Sequence, residues 1–473
     1  METLSCFKAY DIRGELGITL DEAIARRIGR AYSAWLHPTR VVIGGDNRLS
    51  TAGLKQALAA GLQAGGADVI DIGMVGTEEV YFATRALNAC GGIQVTASHN
   101  PAHYNGMKLV REEAKPISSD SGLLAIKALA EANQFPPSRV GSYRQLDHRT
   151  PYLDHLLSYL QGQPLRPLRV VVNAGNGAAG PMLDALEQRL CRMGCEINWI
   201  KIHHTPDGRF PHGVPNPMLP ENRAATQAAI LNHRADIGLA WDGDFDRCFI
   251  FDEQGAYLEG YYVVSLLADA LLARTPGETI LHDPRLIWAT RETIMRHGGT
   301  PVETKTGHAF MKERMRQEDA LYGGEMSAHH YFRAFGYCDS GMIPALLMLQ
   351  LLGERPQPLS AWVAGLKARF PVSGEINCRV EDPVQVMRAI EAHYMAGRAP
   401  DMAVGAPDAP SVTHIDGVSM AFATWRFNLR CSNTEPLLRL NVESRGDRPL
   451  MQAKTRELLA LIAASPAAGS PGV

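Results

Sequence analysis

Apolar runs that are typical of buried strands alternate with helix-like segments along most of this 473-residue chain. The run at residues 40–46 precedes a segment whose apolar residues recur at helical spacing, and further strand-like runs follow at 67–73 and 91–97. The pattern restarts at residues 168–175 and again at 278–285. Strand, helix and strand at this spacing predict βαβ units with mainly parallel sheets.

The pattern changes beyond about residue 360, where the remaining apolar runs and a final helix are typical of a small, more antiparallel α+β domain. Polar, proline-rich segments at residues 134–151 and 353–360 are candidate joints between domains. We therefore expect four domains, which comprise residues 1–145, 146–255, 256–365 and 366–463.

Composition narrows the class of protein. Hydrophobic residues make up 45% of the chain and charged residues 21%, so a large core can be buried. A formal net charge of -3 gives no indication of nucleic-acid or anionic-membrane binding. The start of the chain lacks the apolar segment of a signal peptide, and the apolar run at 261–273 is short and contains Asp269. These features predict a soluble, cytoplasmic protein.

Three carboxylates at alternate positions, Asp242, Asp244 and Asp246, follow a strand-like apolar run. Gly243 permits a tight turn, so the three side chains can converge on one hard cation, and a small set of oxygen ligands suits Mg²⁺. A calcium-binding EF-hand loop is excluded because its sixth position requires glycine, and Arg247 occupies it. The alternative is a charged turn between two strands.

A polar turn also follows the strand-like run at residues 91–97, in the sequence "TASHNPAHYNG". Either the Asn-Pro pair simply ends a strand, or the chain presents Ser98 in a cleft to do chemistry. The residues of this turn do not decide between the two.

Two other polar segments are candidates for ligand binding. In "RCSNTEP", the Arg430 guanidinium and the Ser432 and Thr434 hydroxyls suit a phosphate dianion, although an ordinary Asn/Thr turn is equally consistent. The segments "KTGHAF" and "GEMSAHHYF" place polar groups at the ends of strands, where open α/β sheets bind ligands. Glu325 and Ser327 are two residues apart and suit sugar hydroxyls.

Together these motifs resemble the α-D-phosphohexomutases. The motifs "TASHNP", "DGDFDR", "GEMS" and "RCSNTEP" occur in family order and spacing, and the resemblance extends from "FKAYDIRG" to "NVESRGD". Within the family, the "GEMS" form is more similar to bacterial phosphomannomutases of GDP-mannose supply. The resemblance implies three similar mixed-sheet α/β domains and a C-terminal, TATA-binding-protein-like α+β domain around a central cleft.

The resemblance also implies a mechanism in which Ser98 carries a phosphoryl group. Mg²⁺, bound by Ser98 and the three aspartates, and Arg247 would support its transfer to a sugar hydroxyl and back, through a hexose 1,6-bisphosphate that also activates the enzyme. Lys108, His308 and His329 are the candidates for proton transfer. The implied substrate-binding residues are Tyr10, Arg13, Arg285, Gly307, Glu325, Ser327, Arg430, Ser432, Asn433 and Thr434.

The activity implied by the resemblance is that of an isomerase that interconverts mannose 6-phosphate and mannose 1-phosphate. We expect a monomer or weak homodimer that binds hexose phosphates and no nucleic acid or membrane. The alternatives are a phosphoglucomutase or a dual mutase, a silent sugar-phosphate-binding protein and a metal-dependent phosphomonoesterase. Ala328 replaces a glycine of several relatives, and Arg285 replaces a family lysine; both leave the hexose preference open.

Overall fold

The structure is a computed structural model that describes residues 3–161, 165–396, 410–431 and 437–465. The chain divides into two compact units. Unit 1 comprises Met1–Leu258, Met315–Tyr322 and Ser327–Leu359, and unit 2 comprises Glu259–Arg314, Gly323–Met326 and Ser360–Val473. The division into four domains stays a prediction.

The first part of unit 1 contains one mixed sheet. Its elements are β1 (Ile12–Glu15), α1 (Glu22–Leu36), β2 (Arg40–Gly45), α2 (Thr51–Ala64), β3 (Asp68–Met74), α3 (Thr77–Ala86), β4 (Gly91–Val95), β5 (Tyr104–Arg111), β6 (Lys115–Pro116), α4 (Leu123–Ala132) and β7 (Tyr143–Gln145). The strand order is β1-β5-β4-β2-β3-β7, with β6 paired to β5. Strands β4, β2, β3 and β7 are parallel to one another, whereas β5 runs antiparallel to β1, β4 and β6.

Both faces of this sheet are covered, which explains its continuous apolar strands. Val41 and Ile43 face a core that includes residues of α1 and α2, and Val42 faces a second cluster with residues of α3. Asp21 caps the N-terminus of helix α1, because its side chain accepts a hydrogen bond from the Ile24 amide at 2.7 Å. The antiparallel pair β4 and β5 places the turn at residues 96–103, and Ser98 with it, at one edge of the sheet.

The second sheet of unit 1 contains the acidic segment. Its elements are α5 (Arg149–Ser158), β8 (Leu168–Asn173), α6 (Ala179–Arg192), β9 (Ile197–Ile202), α7 (Ala224–His233), β10 (Ile237–Trp241) and β11 (Cys248–Phe251). The strand order is β11-β10-β8-β9, with β8 parallel to β9 and β10 and with β10 antiparallel to β11. Trp241 pairs with Cys248, so residues 242–247 form the loop of a hairpin.

The next part of the chain contributes to both units. Its elements are α8 (Gly260–Arg274), β12 (Thr279–His282), α9 (Trp288–Arg296), β13 (Thr300–Glu303), α10 (His308–Glu318), β14 (Tyr322–Gly324), β15 (His330–Phe332), β16 (Cys338–Asp339), α11 (Met342–Glu354) and α12 (Leu359–Arg369). In unit 2, β12 and β13 are parallel, as the βαβ pattern predicts. In unit 1, β15 and β16 form an antiparallel pair.

The last part of unit 2 is an antiparallel sheet with two helices. Its elements are β17 (Val372–Arg379), α13 (Pro383–Ala396), β18 (Ser411–Thr413), β19 (Val418–Ala421), β20 (Trp425–Cys431), β21 (Leu437–Ser444) and α14 (Arg448–Ala464). The order is β17-β21-β20-β19-β18, and every neighbouring pair is antiparallel. The predicted fold class is confirmed: mixed α/β sheets followed by an α+β part. In the described residues, no helix is both long and apolar enough to cross a membrane.

Candidate active site

The three aspartates of the β10–β11 loop converge. Asp242 and Asp244 are fully buried and Asp246 is 1% exposed. One carboxylate oxygen from each lies within 4.8 Å of the others. The loop backbone is fixed on both sides, because the Asp244 carbonyl accepts the Thr77 amide at 3.0 Å and the Gly243 carbonyl accepts the Ala178 amide at 3.1 Å. The convergence predicted from the alternate spacing is therefore present.

The donor chemistry of this loop fits a hard divalent cation. The Oδ1 atoms of Asp242, Asp244 and Asp246 are buried, and none has a hydrogen-bond partner within the part of the chain that the structure describes. Buried carboxylate oxygens that accept no hydrogen bond are costly, so this arrangement fits a positively charged ligand. Three converging oxygens are a suitable ligand set for Mg²⁺.

Ser98 lies directly against this loop. It is 3% exposed, and its backbone is left-handed with φ of +47°, which presents the side chain at the bend of the turn after β4. Its Oγ donates a hydrogen bond to Asp242 Oδ2 at 2.7 Å and lies 3.1 Å from His99 Nδ1. The turn is therefore more than a strand end, because it places a hydroxyl beside the carboxylate cluster.

Two cations balance much of the negative charge of the loop. Lys108, on β5, donates hydrogen bonds to Asp244 Oδ2 at 2.8 Å and to Asp246 Oδ2. Arg247 donates to Asp242 Oδ2 through Nε at 2.9 Å and Nη2 at 2.7 Å, and its Nη2 is 3.4 Å from Ser98 Oγ. Burial by itself lowers the pKa of Lys108, but the charges of Asp244 and Asp246 raise it above its ordinary value.

The environments of two aspartates separate their pKa values. Burial by itself raises the pKa of Asp244, but the Lys108 ammonium and the Thr77 hydroxyl, whose Oγ1 donates at 2.5 Å, lower it below its usual range. Burial and the neighbouring charge of Asp244 raise the pKa of Asp246 well above its usual range. Positive charge added to the cluster would favour the ionised form of Asp246.

Two further predicted residues of unit 1 lie near this cluster. A ring nitrogen of His329 lies within 4.8 Å of carboxylate oxygens of Asp246 and Asp339. Its Nδ1 is 3.0 Å from Ser327 Oγ. The adjacent His330 is fully buried and its Nδ1 bonds Tyr322 Oη at 2.6 Å, and burial lowers its pKa to about 3, which indicates a structural histidine.

Arg13 and Tyr10 occupy the first strand region of unit 1. Arg13, on β1, donates to Asn100 Oδ1 at 2.8 Å and to Asp11 Oδ2 at 2.8 Å, so it contacts the turn that carries Ser98. Tyr10 is half-buried just before β1.

In unit 2, Asp283 holds two predicted substrate-binding segments. Its carboxylate accepts hydrogen bonds from Arg285 Nε at 3.0 Å and Nη2 at 2.8 Å, and from the Met326 amide at 2.8 Å. Met326 belongs to the "GEMS" segment, where Glu325 is 1% exposed and accepts a hydrogen bond from the Gly307 amide at 2.8 Å. The structure thus connects Arg285, Gly307 and Glu325 within this unit, and His308 begins α10 beside Gly307.

A second charged cluster of unit 2 surrounds Glu375. Its carboxylate contacts Arg430 at 2.8 Å, Arg285 at 3.4 Å and Arg439 at 3.6 Å. Burial by itself raises the pKa of Glu375, but Arg285 and Arg430 lower it below its ordinary value. Asp283 and Glu325 also act on Arg285, so three guanidinium groups face three carboxylates and the formal charges of the cluster balance. Ser432, Asn433 and Thr434 of the predicted phosphate loop lie outside the described residues.

The structure reveals site residues that the sequence reasoning missed. Thr77 lies 167 positions from Asp244, and Glu375 lies 55 positions from Arg430, so no local spacing indicates either contact. His99, whose Nδ1 is 2.5 Å from Arg247 Nη2, stands next to Ser98 in the sequence and could have been considered. Asp283, two residues before Arg285, offered a similar local signal.

Four protein-family models match consecutive parts of the chain. Models of phosphoglucomutase/phosphomannomutase domains match it: alpha/beta/alpha domain I at residues 5–137, domain II at 150–255, domain III at 259–370 and the C-terminal domain at 375–460.

Relatives of high identity cover nearly the whole chain. The phosphomannomutase of Salmonella typhimurium is 59% identical over 98% of this chain and 100% of the relative. The phosphomannomutase of Escherichia coli is 57% identical over the same shares. A crystal structure of a phosphoglucomutase/phosphomannomutase family protein from Burkholderia thailandensis is 31% identical, with a TM-score of 0.84 over 99% of this chain and 100% of that chain. The chain therefore belongs to the phosphoglucomutase/phosphomannomutase family of α-D-phosphohexomutases.

Proposed function

We propose that this chain is a phosphomannomutase, an isomerase that interconverts mannose 6-phosphate and mannose 1-phosphate for GDP-mannose synthesis. The observation that carries the proposal is the contact between Ser98 Oγ and Asp242 Oδ2 at 2.7 Å, beside three buried carboxylate oxygens that accept no hydrogen bond in the described residues. The relatives that are 54–59% identical carry the name phosphomannomutase, so they support mannose and not the phosphoglucomutase alternative.

Asp242, Asp244 and Asp246 would hold Mg²⁺, together with a phosphate oxygen on Ser98. When bound, the ion supplies positive charge to the transferring phosphoryl group. The residues of the chain prepare this site, because Thr77 and Lys108 hold the Oδ2 atoms of Asp244 and Asp246 by hydrogen bonds that do not use their Oδ1 atoms.

Phosphoryl transfer exchanges one P–O bond for another. A sugar hydroxyl oxygen forms a bond to phosphorus, the bond from phosphorus to Ser98 Oγ breaks with its electron pair left on Oγ, and the hydroxyl proton passes to a base. Arg247 is placed to stabilise the charge that develops on Oγ, because its Nη2 lies 3.4 Å away. The resulting hexose 1,6-bisphosphate returns its other phosphoryl group to Ser98 by the reverse step.

Among the three candidates for proton transfer, His329 is the base that we favour in unit 1. Lys108 already donates to two carboxylates and serves as a counter-charge. A ring nitrogen of His329 lies within 4.8 Å of the Asp246 carboxylate, and histidine is the side chain that enzymes use most often for proton transfer. His308, in unit 2, remains the alternative for the other half-reaction.

The sugar and its second phosphate would bind the charged groups of unit 2. Glu325 accepts a hydrogen bond from the Gly307 amide and suits sugar hydroxyls. Ser327 is the other residue that we assign to sugar hydroxyls. The guanidinium groups of Arg285, Arg430 and Arg439 converge on Glu375 and suit the phosphate that is not transferred. We also assign Tyr10, Arg13, Ser432, Asn433 and Thr434 to substrate contacts.

The test is intact-protein mass, measured on the wild type and on Ser98→Ala after incubation with hexose 1,6-bisphosphate and Mg²⁺. The wild type should gain one phosphoryl group, about 80 Da, and Ser98→Ala should gain none. The wild type should then convert mannose 1-phosphate faster than glucose 1-phosphate, and removal of Mg²⁺ with EDTA should abolish turnover. An unmodified and inactive wild type would contradict the proposal, and a preference for glucose 1-phosphate would contradict the substrate assignment.

A further inference from the structure

One buried arginine, Arg48, contacts the backbone of the turn that carries Ser98 at four points. Its side chain is 1% exposed. Nη2 donates hydrogen bonds to the carbonyls of Ser98 at 2.8 Å and Asn100 at 2.6 Å, and Nη1 donates to those of Pro101 at 2.7 Å and Tyr104 at 3.0 Å. A single guanidinium thus satisfies four carbonyls within seven residues, which only its planar, forked set of donors can do.

Asp46 orients this guanidinium and also supports the turn. Its carboxylate lies 3.3 Å from Arg48 Nε and accepts hydrogen bonds from Thr51 Oγ1 at 2.6 Å and Thr96 Oγ1 at 2.7 Å. Thr96 Oγ1 in turn accepts the Ser98 amide at 2.9 Å. The amide and the carbonyl of Ser98 are therefore both connected to the same buried ion pair.

These contacts explain how Ser98 keeps an unfavourable conformation. A residue with a side chain at φ of +47° is strained, and such strain persists only where the surroundings determine the backbone. Phe210 covers the guanidinium, with its ring centroid 5.3 Å from the Arg48 Cζ atom, and is itself 5% exposed. Water therefore cannot readily replace the arginine as the donor to these carbonyls.

We propose that Arg48 is a positioning residue for phosphoryl transfer: it fixes the left-handed backbone of Ser98 and thereby aims Oγ at the carboxylate cluster. The inference rests on the proposed function for its catalytic consequence, but its structural part, the fixing of the turn, stands on the contacts of Arg48 alone. The guanidinium of Arg48 donates to carbonyls of the turn, so we expect it to act on the rate of transfer more than on affinity for the hexose phosphate.

The test compares Arg48→Lys with Arg27→Lys. Arg27 is a matched control in the same sheet region, because its guanidinium donates two hydrogen bonds to the Ala130 carbonyl at 3.0 and 2.8 Å, far from the turn in the sequence. In Arg48→Lys, amide hydrogen exchange at residues 98–104 should accelerate at least tenfold. Misplacement of a reacting atom by about 1 Å costs about a hundredfold in rate, so kcat and the rate of Ser98 phosphorylation should fall by that order, with KM within about twofold of the wild type.

Arg27→Lys should leave both exchange at residues 98–104 and kcat unchanged. Asp46→Asn keeps the shape of the ion pair and removes its charge, so it should give a smaller effect of the same kind even where Arg48→Lys does not fold. Unchanged exchange in the turn of both variants would overturn the inference. Faster exchange with kcat equal to that of the wild type would also overturn it. A wild type that never carries a phosphoryl group on Ser98 would instead reject the proposed function, whatever the exchange result.

Discussion

Removal of the Lys108 ammonium should make the stability of unit 1 depend strongly on Mg²⁺. The perturbation is Lys108→Gln, which keeps length and polarity and removes one positive charge. At 2.8 Å from Asp244 Oδ2, the ammonium contributes a gross attraction of about 6 kcal/mol at an effective dielectric constant of about 20. With all three carboxylates ionised, they sum with Lys108 and Arg247 to a charge of -1, and the variant takes this sum to -2; the raised pKa of Asp246 relieves part of it by proton uptake when no cation is added.

The net loss of stability is smaller than the gross attraction, because the glutamine no longer has to be desolvated as a charge. Breaking a buried pair costs about 3–5 kcal/mol, which corresponds to a fall in Tm on the order of 10 °C for a unit of this size. Mg²⁺ at about 100 times its Kd adds about 2.7 kcal/mol to the wild type. Mg²⁺ should stabilise Lys108→Gln by more than this, because the ion replaces the lost positive charge and also binds the buried Oδ1 atoms of the three aspartates.

The assay is thermal unfolding with EDTA and with Mg²⁺, and the control is Lys55→Gln. Lys55 forms a comparable pair with the buried Asp71 at 2.7 Å, but in a place that no metal would occupy. Both variants should lose stability in EDTA relative to the wild type, and Mg²⁺ should narrow the difference from the wild type only in Lys108→Gln. An equal Mg²⁺-induced rise in Tm for the wild type, Lys108→Gln and Lys55→Gln would refute the idea that lysine and metal neutralise the same carboxylates.

Three more predictions concern other parts of the chain. Burial raises the pKa of Glu79 to about 8 from the ordinary 4.5, so its contribution to stability is present below pH 4.5 and lost as pH rises to about 8. The free energy of unfolding of Glu79→Gln, measured in urea, should therefore rise by about 4 kcal/mol relative to that of the wild type between these two pH values. Arg430→Met should raise KM for mannose 1-phosphate about ten- to a hundredfold in steady-state assays, since a charge-assisted hydrogen bond contributes about 1.5–3 kcal/mol. The control is Arg445→Met, which should leave KM unchanged, because Arg445 is exposed and stacks 4.2 Å over the Trp288 ring. Ala328 has φ of +66° but packs in a core cluster. In Ala328→Gly, the relief of about 1 kcal/mol of backbone strain should nearly offset the lost burial of a methyl group and the greater entropy of the unfolded chain. The free energy of unfolding in urea should therefore fall by less than about 1 kcal/mol.

Local patterns predicted those parts of the fold and site that depend on neighbouring residues. The strands β2, β4 and β8 occur where apolar runs indicated them, and the β10–β11 loop brings its carboxylates together because alternate positions in a tight turn share a side. The contact of Ser98 with Asp242 spans 144 positions and follows from the family resemblance, not from spacing. Residues such as Thr77 and Glu375 could not be found, because their partners are set by the packing of distant segments and they carry no motif of their own.

The two charged clusters share one physical principle, with the signs reversed. In unit 1, Lys108 and Arg247 offset part of the charge of three carboxylates, and in unit 2, Asp283 and Glu375 offset part of the charge of three guanidinium groups. Each set of charges is thereby held rigid before any ligand arrives, which lowers the reorganisation needed for binding and transfer.

The position of Glu375 between Arg285 and Arg430 also suits a reaction that uses the same site twice. In the proposed mechanism the hexose 1,6-bisphosphate must release its second phosphate from the arginines and bind again with its two ends exchanged. Three guanidinium groups without counter-charges would retain a phosphate dianion too strongly for this exchange, because each charge-assisted hydrogen bond contributes about 1.5–3 kcal/mol. Glu375 competes with the phosphate for Arg285 and Arg430, so replacement by glutamine should slow release of the bisphosphate while tightening its binding.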